Sequence, residues 1–104
     1  MICSTIYVKT EKTFDEIYTA YEKAYANEKF VRLQPKGSFA NIKNVRCSNY
    51  CDISLHFDEH TKTLIITSAI DNMVKGAAGQ AIQNMNIRFG FDEGEGISML
   101  APSF

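Results

Sequence analysis

Two cysteines and two histidines near the middle of the chain have a spacing that resembles a set of zinc ligands. Cys47, Cys51, His56 and His60 form the pattern C-x3-C-x4-H-x3-H, and thiolate and imidazole groups are common ligands of zinc. The residues around Cys51 alternate as in a β-strand, where an odd separation directs the side chains of Cys51 and His56 to opposite faces. We therefore expect a buried thiol and surface histidines here, and no metal site.

A cysteine nucleophile activated by a histidine is a second chemistry that these residue types allow. A thiolate and its base meet in space rather than in sequence, and three cysteines with two histidines give six combinations. None of the six lies inside a local sequence signature. A catalytic cysteine therefore stays open as the less favoured alternative.

A cluster of small residues later in the chain could suggest a phosphate-binding loop. The segment "GAAGQ", residues 76–80, is not G-x-G-x-x-G, and it lies inside a predicted helix rather than between a strand and a helix. Its two glycines each cost about 1 kcal/mol relative to alanine, and Lys75 puts a positive charge where the helix dipole favours a negative one. We expect this helix either to pack tightly within the chain or to form part of a site or an interface.

The first predicted helix carries three tyrosines, Tyr18, Tyr21 and Tyr25. Exposed aromatic rings could form a stacking platform for a ligand. The helical spacing of these tyrosines is more typical of core or interface residues.

The elements that position these residues follow from the hydrophobic pattern. Residues 3–9 are rich in β-branched and aromatic side chains, which predicts a strand. Thr13 and Glu16 then form the capping box T-x-x-E. The apolar residues that follow recur at helical spacing, which predicts a helix over residues 14–26.

Three more strands are predicted in the middle of the chain. A short strand ends at Pro35 and is followed by a loop over residues 36–44. Two strands then flank a hairpin loop at residues 58–62. In the first of the two, one face carries Cys51, Ile53, Leu55 and Phe57, and the other carries Asp52, Ser54, His56 and Asp58. This period of two predicts one buried face and one more polar face.

The last predicted helix begins at Asp71 as the N-cap and ends at Gly90 as a left-handed residue. Its apolar stripe consists of Val74, Ala77, Ala78, Ala81, Ile82, Met85 and Phe89. The order β-α-β-β-β-α predicts an α+β fold with the helices on one face of a largely antiparallel sheet.

The length, net charge and cysteine count of the chain limit the classes of function to consider. A chain of 104 residues is one domain at most. The net charge of −1 does not suggest nucleic acid as a partner, and no apolar run is long enough to suggest a membrane. The N-terminus lacks the features of a signal peptide, and an odd count of three cysteines is typical of reduced thiols, so we expect a cytoplasmic protein.

The segment "SNYCDISLHFDEHTKTLIITSAIDNMVKGAAGQAIQNMNIRFGFDE" resembles the closing segment of N-acetyl-γ-glutamyl-phosphate reductase, an NADP-dependent enzyme of arginine biosynthesis. The most specific part is "DNMVKGAAGQAIQNMN", residues 71–86, and "STIYVKT" and "FVRLQP" are similar to the same family. The resemblance spans nearly the whole chain, which corresponds to the last third of the family's longer chains.

The resemblance implies an α+β domain like the C-terminal domain of glyceraldehyde-3-phosphate dehydrogenase. Residues 1–104 are then a single domain without the family's nucleotide-binding Rossmann domain, against which the small face of the last helix is expected to pack. The resemblance also implies that Asn72 and Gly76 contact NADP in the full-length enzyme, while no cofactor is expected for this chain alone. Ser48, Asn49 and Tyr50 are implied to line the substrate cleft.

The departures from the family concern the catalytic residues. The family's cysteine belongs to a G-C-Y-P-T-type motif and its histidine to a P-H motif, and Cys3, Cys47 and Cys51 match neither context. No catalytic residue is therefore assigned in this chain. Cys47 stands where the family usually has glycine, and Arg88 stands where an apolar residue is usual.

Two hypotheses follow. In the first, the chain is the C-terminal dimerisation piece of the reductase, inactive by itself. In the alternative, it is an autonomous small protein that uses the same α+β domain for binding or assembly. In both we expect a homo-oligomer, with one face of the sheet covered by the chain's own helices and the face of Ser54 and His56 meeting a partner.

Overall fold

The computed structural model describes residues 1–98 and shows the expected α+β fold, with one largely antiparallel sheet that also contains a parallel pair of strands. The regular elements are β1 (Ile2–Lys9), α1 (Phe14–Tyr25), β2 (Val31–Leu33), a 3-10 helix (Ile42–Asn44), β3 (Cys51–Asp58), β4 (Thr63–Ile70), a π-helix (Val74–Ala78) and α2 (Gly79–Phe89). The strand order is β1-β4-β3-β2, in which β2 is parallel to β3 and the other pairs are antiparallel. No helix among the described residues is long and apolar enough to cross a membrane.

Helix α1 begins and packs as its sequence predicts. The Thr13 hydroxyl accepts a hydrogen bond from the Glu16 N–H at 3.2 Å, and Asp15 and Glu16 lie in the first turn. On the helix side of the sheet, Ile17 joins a core of Ile53, Leu55 and Leu64. The three tyrosines of α1 pack against this core, so the prediction of core aromatic residues is confirmed.

The opposite side of the sheet is also covered. The segment from residue 34 to residue 50 crosses it and buries Ala40, Val45 and Ala69 in a second, smaller core. Ser54 is fully buried and accepts a hydrogen bond from the Ala40 N–H at 3.1 Å. A parallel pair of strands requires such a crossover connection. The expectation that the face of Ser54 and His56 meets a partner subunit is therefore wrong at Ser54, because the chain's own segment covers it. The parallel pairing of β2 with β3, which requires this segment, was not foreseen.

An ion pair joins β2 to β3, and its arginine also contacts the crossover segment. Arg32 donates to both carboxylate oxygens of the buried Asp52, at 2.6 and 3.1 Å, and to the backbone carbonyl of Asn44 at 3.0 Å. Its guanidinium also lies 4.1 Å from the centre of the Tyr50 ring. Asp52 is thus desolvated but paired, which is the condition for tolerating a buried charge.

The last helical segment differs from its prediction at the beginning and agrees at the end. Asp71 is not an N-cap of an α-helix, because the chain first forms the π-helix, which begins after Met73 without a side-chain cap. The Asp71 backbone carbonyl accepts hydrogen bonds from the N–H groups of Val74 and Gly76. Gly90 ends α2 with φ of +77°, as predicted.

The predicted apolar stripe of this segment faces mostly towards solvent, whereas the stripe of a core-packed helix faces the interior. Gly79, Gln83 and Asn86 are its buried residues. Met85 is 46% exposed and Phe89 is 67% exposed. The other predicted stripe residues are half-buried, as for Val74, or exposed, as for Ala77, Ala78, Ala81 and Ile82.

Candidate functional site

The Asp71 carboxylate connects the two segments that contain the candidate site residues. One oxygen accepts a hydrogen bond from the Cys47 N–H at 2.6 Å, and the other accepts from the Met73 N–H at 2.8 Å. The hydrogen bond from Cys47 is the main cause that lowers the pKa of Asp71, and backbone donors at Met73 and Val74 lower it further. This clamp holds the end of the crossover segment beside the start of the helical segment.

Asn72 and Gly76, the candidate cofactor contacts, lie together at the surface beside this clamp. Both residues are exposed. A Cβ placed on Gly76 would be 3.7 Å from the Cβ of Asn72 and 3.4 Å from Ile70 Cδ1, which is ordinary packing distance. The structure thus brings the two residues together in an accessible position, and their role towards NADP stays a prediction.

The candidate cleft residues make their contacts inside this chain. Ser48 is fully buried, and its hydroxyl donates to the Val45 carbonyl at 2.6 Å. Asn49 is also fully buried and donates from Nδ2 to Gln83 Oε1 at 3.0 Å. Tyr50 is half-buried, and its ring meets the Phe30 ring edge to face at 5.7 Å. These contacts account for the three side chains as fold-supporting groups, and lining of a substrate cleft stays a prediction.

A network of polar side chains under α2 was missed by the sequence reasoning. Gln83 accepts from Asn49 and from Lys75 Nζ, at 2.7 Å for the lysine, and donates to the Glu93 carboxylate at 2.6 Å. Asn86 donates to the backbone carbonyls of Glu93 and Glu95 at 3.1 and 3.0 Å. The signal was present in the sequence, because Gly79, Gln83 and Asn86 share the i, i+4, i+7 spacing of one helix face.

The π-helix explains how Lys75 reaches this network. In a regular α-helix, residues eight apart differ in direction by roughly 80°, whereas a π-turn inserts one extra residue and restores the alignment of Lys75 with Gln83. Burial lowers the pKa of Lys75, while Cys51, Glu93 and Glu28 oppose that shift. The lysine is therefore an internal partner of α2 rather than a misplaced surface charge.

Gly79 is required by close approach of the crossover segment. A Cβ at this position would collide with Asn49 Oδ1 and would lie 2.5 Å from the Val74 carbonyl oxygen. Asn49 Oδ1 is itself buried without a hydrogen-bond partner. One of the two costly glycines of this helix therefore packs within the chain.

The outward face of α2 borders an apolar groove of about 490 Å³. The groove is lined by Ile82, Met85, Asn86, Phe91, Asp92, Glu95 and Gly96. Phe89 and Phe91 beside it are 67% and 58% exposed. An apolar surface of this kind marks an interaction site more often than a free surface.

The cysteines and histidines are not assembled into a site. Among residues 1–98, no group of three His, Cys, Asp or Glu side chains is placed to hold a metal ion. Cys51 packs towards the α1 side, whereas His56 stacks on Phe39 of the crossover segment at 4.0 Å. Burial raises the pKa of the Cys51 thiol, which opposes formation of the nucleophilic thiolate.

The sheet, its helix and its crossover segment define the class of protein to which the chain belongs. Residues 1–72 match the family described as "Semialdehyde dehydrogenase, dimerisation domain", and the chain is a member of this family. The matched part ends at the clamp region, so the π-helix and α2 lie outside it.

Comparison with curated proteins shows which enzymes the chain is most similar to among those compared. The chain is 54% identical over 106 residues to the N-acetyl-gamma-glutamyl-phosphate reductase of Brachyspira hyodysenteriae, and the match covers 99% of this chain and 30% of that protein. It is 52% identical to the reductase of Clostridium botulinum strain Eklund 17B and 50% identical to that of Listeria monocytogenes HCC23, with 30% and 29% of those proteins covered. The resemblance to the C-terminal segment of this reductase is confirmed. The chain spans about 30% of the length of these relatives.

Proposed function

We propose that this chain is the C-terminal dimerisation part of an NADP-dependent N-acetyl-γ-glutamyl-phosphate reductase, an oxidoreductase of arginine biosynthesis in the cytoplasm. The observation that carries the proposal is the identity of about one half to such reductases over 99% of the chain. The reaction converts N-acetyl-glutamyl phosphate to N-acetyl-glutamate semialdehyde.

The chain is proposed to be inactive by itself. Reduction of an acyl phosphate through a thioester requires an activated thiolate and a bound nicotinamide. Cys3 and Cys47 are exposed, and Cys51 is a half-buried thiol whose pKa is raised. None of the three is hydrogen-bonded to a histidine in the described part of the chain. The nucleophile and most of the cofactor site are therefore assigned to the rest of the reductase chain.

The contribution of this chain to catalysis is to present Asn72 and Gly76 at the cofactor and to support them. Asp71 fixes their segment through its hydrogen bonds to Cys47 and Met73. NADP is the cofactor of the assembled enzyme, and the isolated chain is expected to bind it negligibly because the phosphate-cradling loop is absent from its sequence.

The outward face of α2 is proposed to pack against the nucleotide-binding domain. Ile82, Met85 and Phe89 are exposed on this face. Burying a large apolar side chain contributes about 1.5–3 kcal/mol, so covering these three stabilises the contact by several kcal/mol. The remaining surface of the sheet, at β1 and β4, is proposed to contribute to a homo-oligomer, in keeping with the dimerisation family.

A chimeric enzyme tests the proposal. In the Brachyspira hyodysenteriae reductase, the matching 106 residues are replaced by this chain. We expect NADPH-dependent reductase activity within about tenfold of that of the parent, since half of the residues are identical and the rest of the protein is unchanged. The parent without the segment and the isolated chain serve as controls and should be inactive. A folded chimera without activity, or an isolated chain that oxidises NADPH with the acyl phosphate, would refute the proposal.

A further inference from the structure

The wide turn of the π-helix encloses one of the candidate cofactor contacts. Two backbone hydrogen bonds join residues five apart, from the Gly76 N–H to the Asp71 carbonyl at 3.1 Å and from the Ala78 N–H to the Met73 carbonyl at 3.3 Å. The first of these bonds closes a loop of backbone that contains Asn72. Such π-turns are rare, and they are frequent at functional sites. The position of Asn72 therefore depends on the contacts that hold this turn in place.

The Lys75 ammonium joins the π-helix to the interior of the chain. It donates to Gln83 Oε1 at 2.7 Å, and the same oxygen accepts from Asn49 Nδ2 at 3.0 Å. Because Asn49 is fully buried in the crossover segment, this shared oxygen connects three parts of the fold. Gln83 is held in turn by its own hydrogen bond to the Glu93 carboxylate at 2.6 Å.

Lys75 occupies an unfavourable place for a charge. It is half-buried, and among residues 1–98 no carboxylate lies within ion-pair distance of it. Its ammonium lies 5.8 Å from the centre of the buried Phe30 ring, and burial lowers its pKa. Removing an ammonium from water without a paired carboxylate costs free energy. Proteins accept such local costs mainly where a site requires them.

We propose that Lys75 is a positioning residue for the cofactor, whose contact with Gln83 holds the π-turn in the form that presents Asn72 to NADP. The inference rests on the proposed function, in which Asn72 contacts NADP. The Asp71 clamp fixes the beginning of this segment, and Lys75 fixes its end. The ammonium lies against the buried side chains of Gln83 and Phe30, whereas Asn72 is exposed. Lys75 therefore acts through Asn72 and not on the cofactor itself.

The dissociation constant of NADPH, measured by fluorescence titration of the chimeric enzyme, tests this role. Lys75→Met removes the charge and the N–H donors and keeps a long side chain. It should weaken NADPH binding by about tenfold, because affinity falls with the populated fraction of the competent arrangement. Lys75→Arg keeps the charge and N–H donors and should stay within about threefold of the original. The matched control is Lys23→Met, at an exposed lysine in the last turn of α1, which should leave the constant unchanged.

A double-mutant cycle with Asn72→Ala shows whether Lys75 acts through Asn72. In the Asn72→Ala chimera, adding Lys75→Met should change the dissociation constant by less than about twofold, because residues that act as a unit are not additive. The full effect of Lys75→Met in this background would mean that the lysine acts on the cofactor directly, and it would overturn the inference. An unchanged constant in a Lys75→Met chimera that melts at lower temperature would also overturn it, since the contact would then serve stability alone.

A second variant keeps the test decisive if the Lys75→Met chimera does not fold. Gln83→Met removes the acceptor of Lys75 and should weaken NADPH binding by a similar factor, again with little further effect in the Asn72→Ala background. Circular dichroism checks that each variant is folded. A folded, unsubstituted chimera that does not bind NADPH would refute the proposed function. A chimera that binds NADPH and is insensitive to both substitutions would refute this inference and leave the proposed function intact.

Discussion

The central sheet and the last helix of this molecule bury opposite kinds of side chain. Around β3, apolar residues such as Leu55 lie inside, under α1. Around α2, the amides of Gln83 and Asn86 lie inside, and Met85 and Phe89 lie outside. The sheet is stabilised by partners within the described chain, whereas α2 is held by polar contacts and keeps its apolar face free. A hydrophobic stripe therefore shows that a surface needs a partner, without showing whether that partner belongs to the same fold.

The largest expected effect of a substitution is in the sheet. Leu55 is 2% exposed and lies in the core with Ile17, Ile53 and Leu64. Leu55→Ala should lower the free energy of unfolding by about 2–5 kcal/mol, because it removes buried methyl groups and leaves a cavity. Urea unfolding followed by circular dichroism measures this change. A loss below 1 kcal/mol would mean that the sheet core is much looser than its packing indicates.

The second largest loss of stability is expected at Gly79, the first residue of α2. Gly79→Ala should lower the free energy of unfolding by about 1–3 kcal/mol, since the added methyl group overlaps Asn49 and the backbone of Val74. The matched control is Gly76→Ala, whose methyl group meets ordinary packing distances. Thermal melting of the two variants in parallel provides the comparison. Equal melting temperatures would show that α2 does not approach the crossover segment as closely as described.

The third largest loss of stability is expected on replacing Asp71, and this loss should depend on pH. Because the pKa of Asp71 is lowered in the folded chain, its charge stabilises the fold fully above the unfolded value near 3.9. That stabilisation disappears as the pH falls through the folded value. Asp71→Asn should therefore cost about 1–2 kcal/mol at pH 7, and the cost should shrink as the pH falls below about 4. A difference between the two proteins that stays constant from pH 7 to pH 2 would contradict this role.

The smallest effect is expected on the outer face of α2. Met85→Ser should change the free energy of unfolding of the isolated chain by less than about 0.5 kcal/mol, because the side chain is already 46% exposed. In the chimeric enzyme, the same substitution should lower stability by about 1 kcal/mol or more if this face is covered by another domain. Comparing the two melting temperatures sharpens the contrast between sheet and helix. A large loss in the isolated chain would show that Met85 is packed there.

Local patterns predicted the elements whose causes are local. The capping box, the first-turn acids and the apolar spacing were sufficient for α1, and Gly90 was sufficient for the end of α2. The alternation in β3 predicted the strand and the face under α1. These features depend on contacts within a few residues or on a simple period.

Non-local features were not predictable in the same way. The parallel pairing of β2 with β3 places residues 34–50 over Ser54, and a loop composition does not reveal where a loop lies. The π-helix accompanies a contact of Gln83 with both Lys75 and Asn49, and Asn49 is far from the helix in sequence. Sequence similarity suggested Asn72 and Gly76 as cofactor contacts, which stays a prediction, and it could not show that Ser48 and Asn49 are buried.

The backbone at Cys47 has a consequence for how this molecule can be observed. Cys47 has φ of +58°, a conformation suited to glycine. Its N–H is fixed by Asp71 while its thiol remains exposed. A fluorophore or spin label on this sulfur would therefore be anchored to a rigid backbone at the junction of the crossover segment and the helical segment. With Cys3 and the half-buried Cys51 both replaced by serine, Cys47 is the one remaining thiol and can report on changes at that junction.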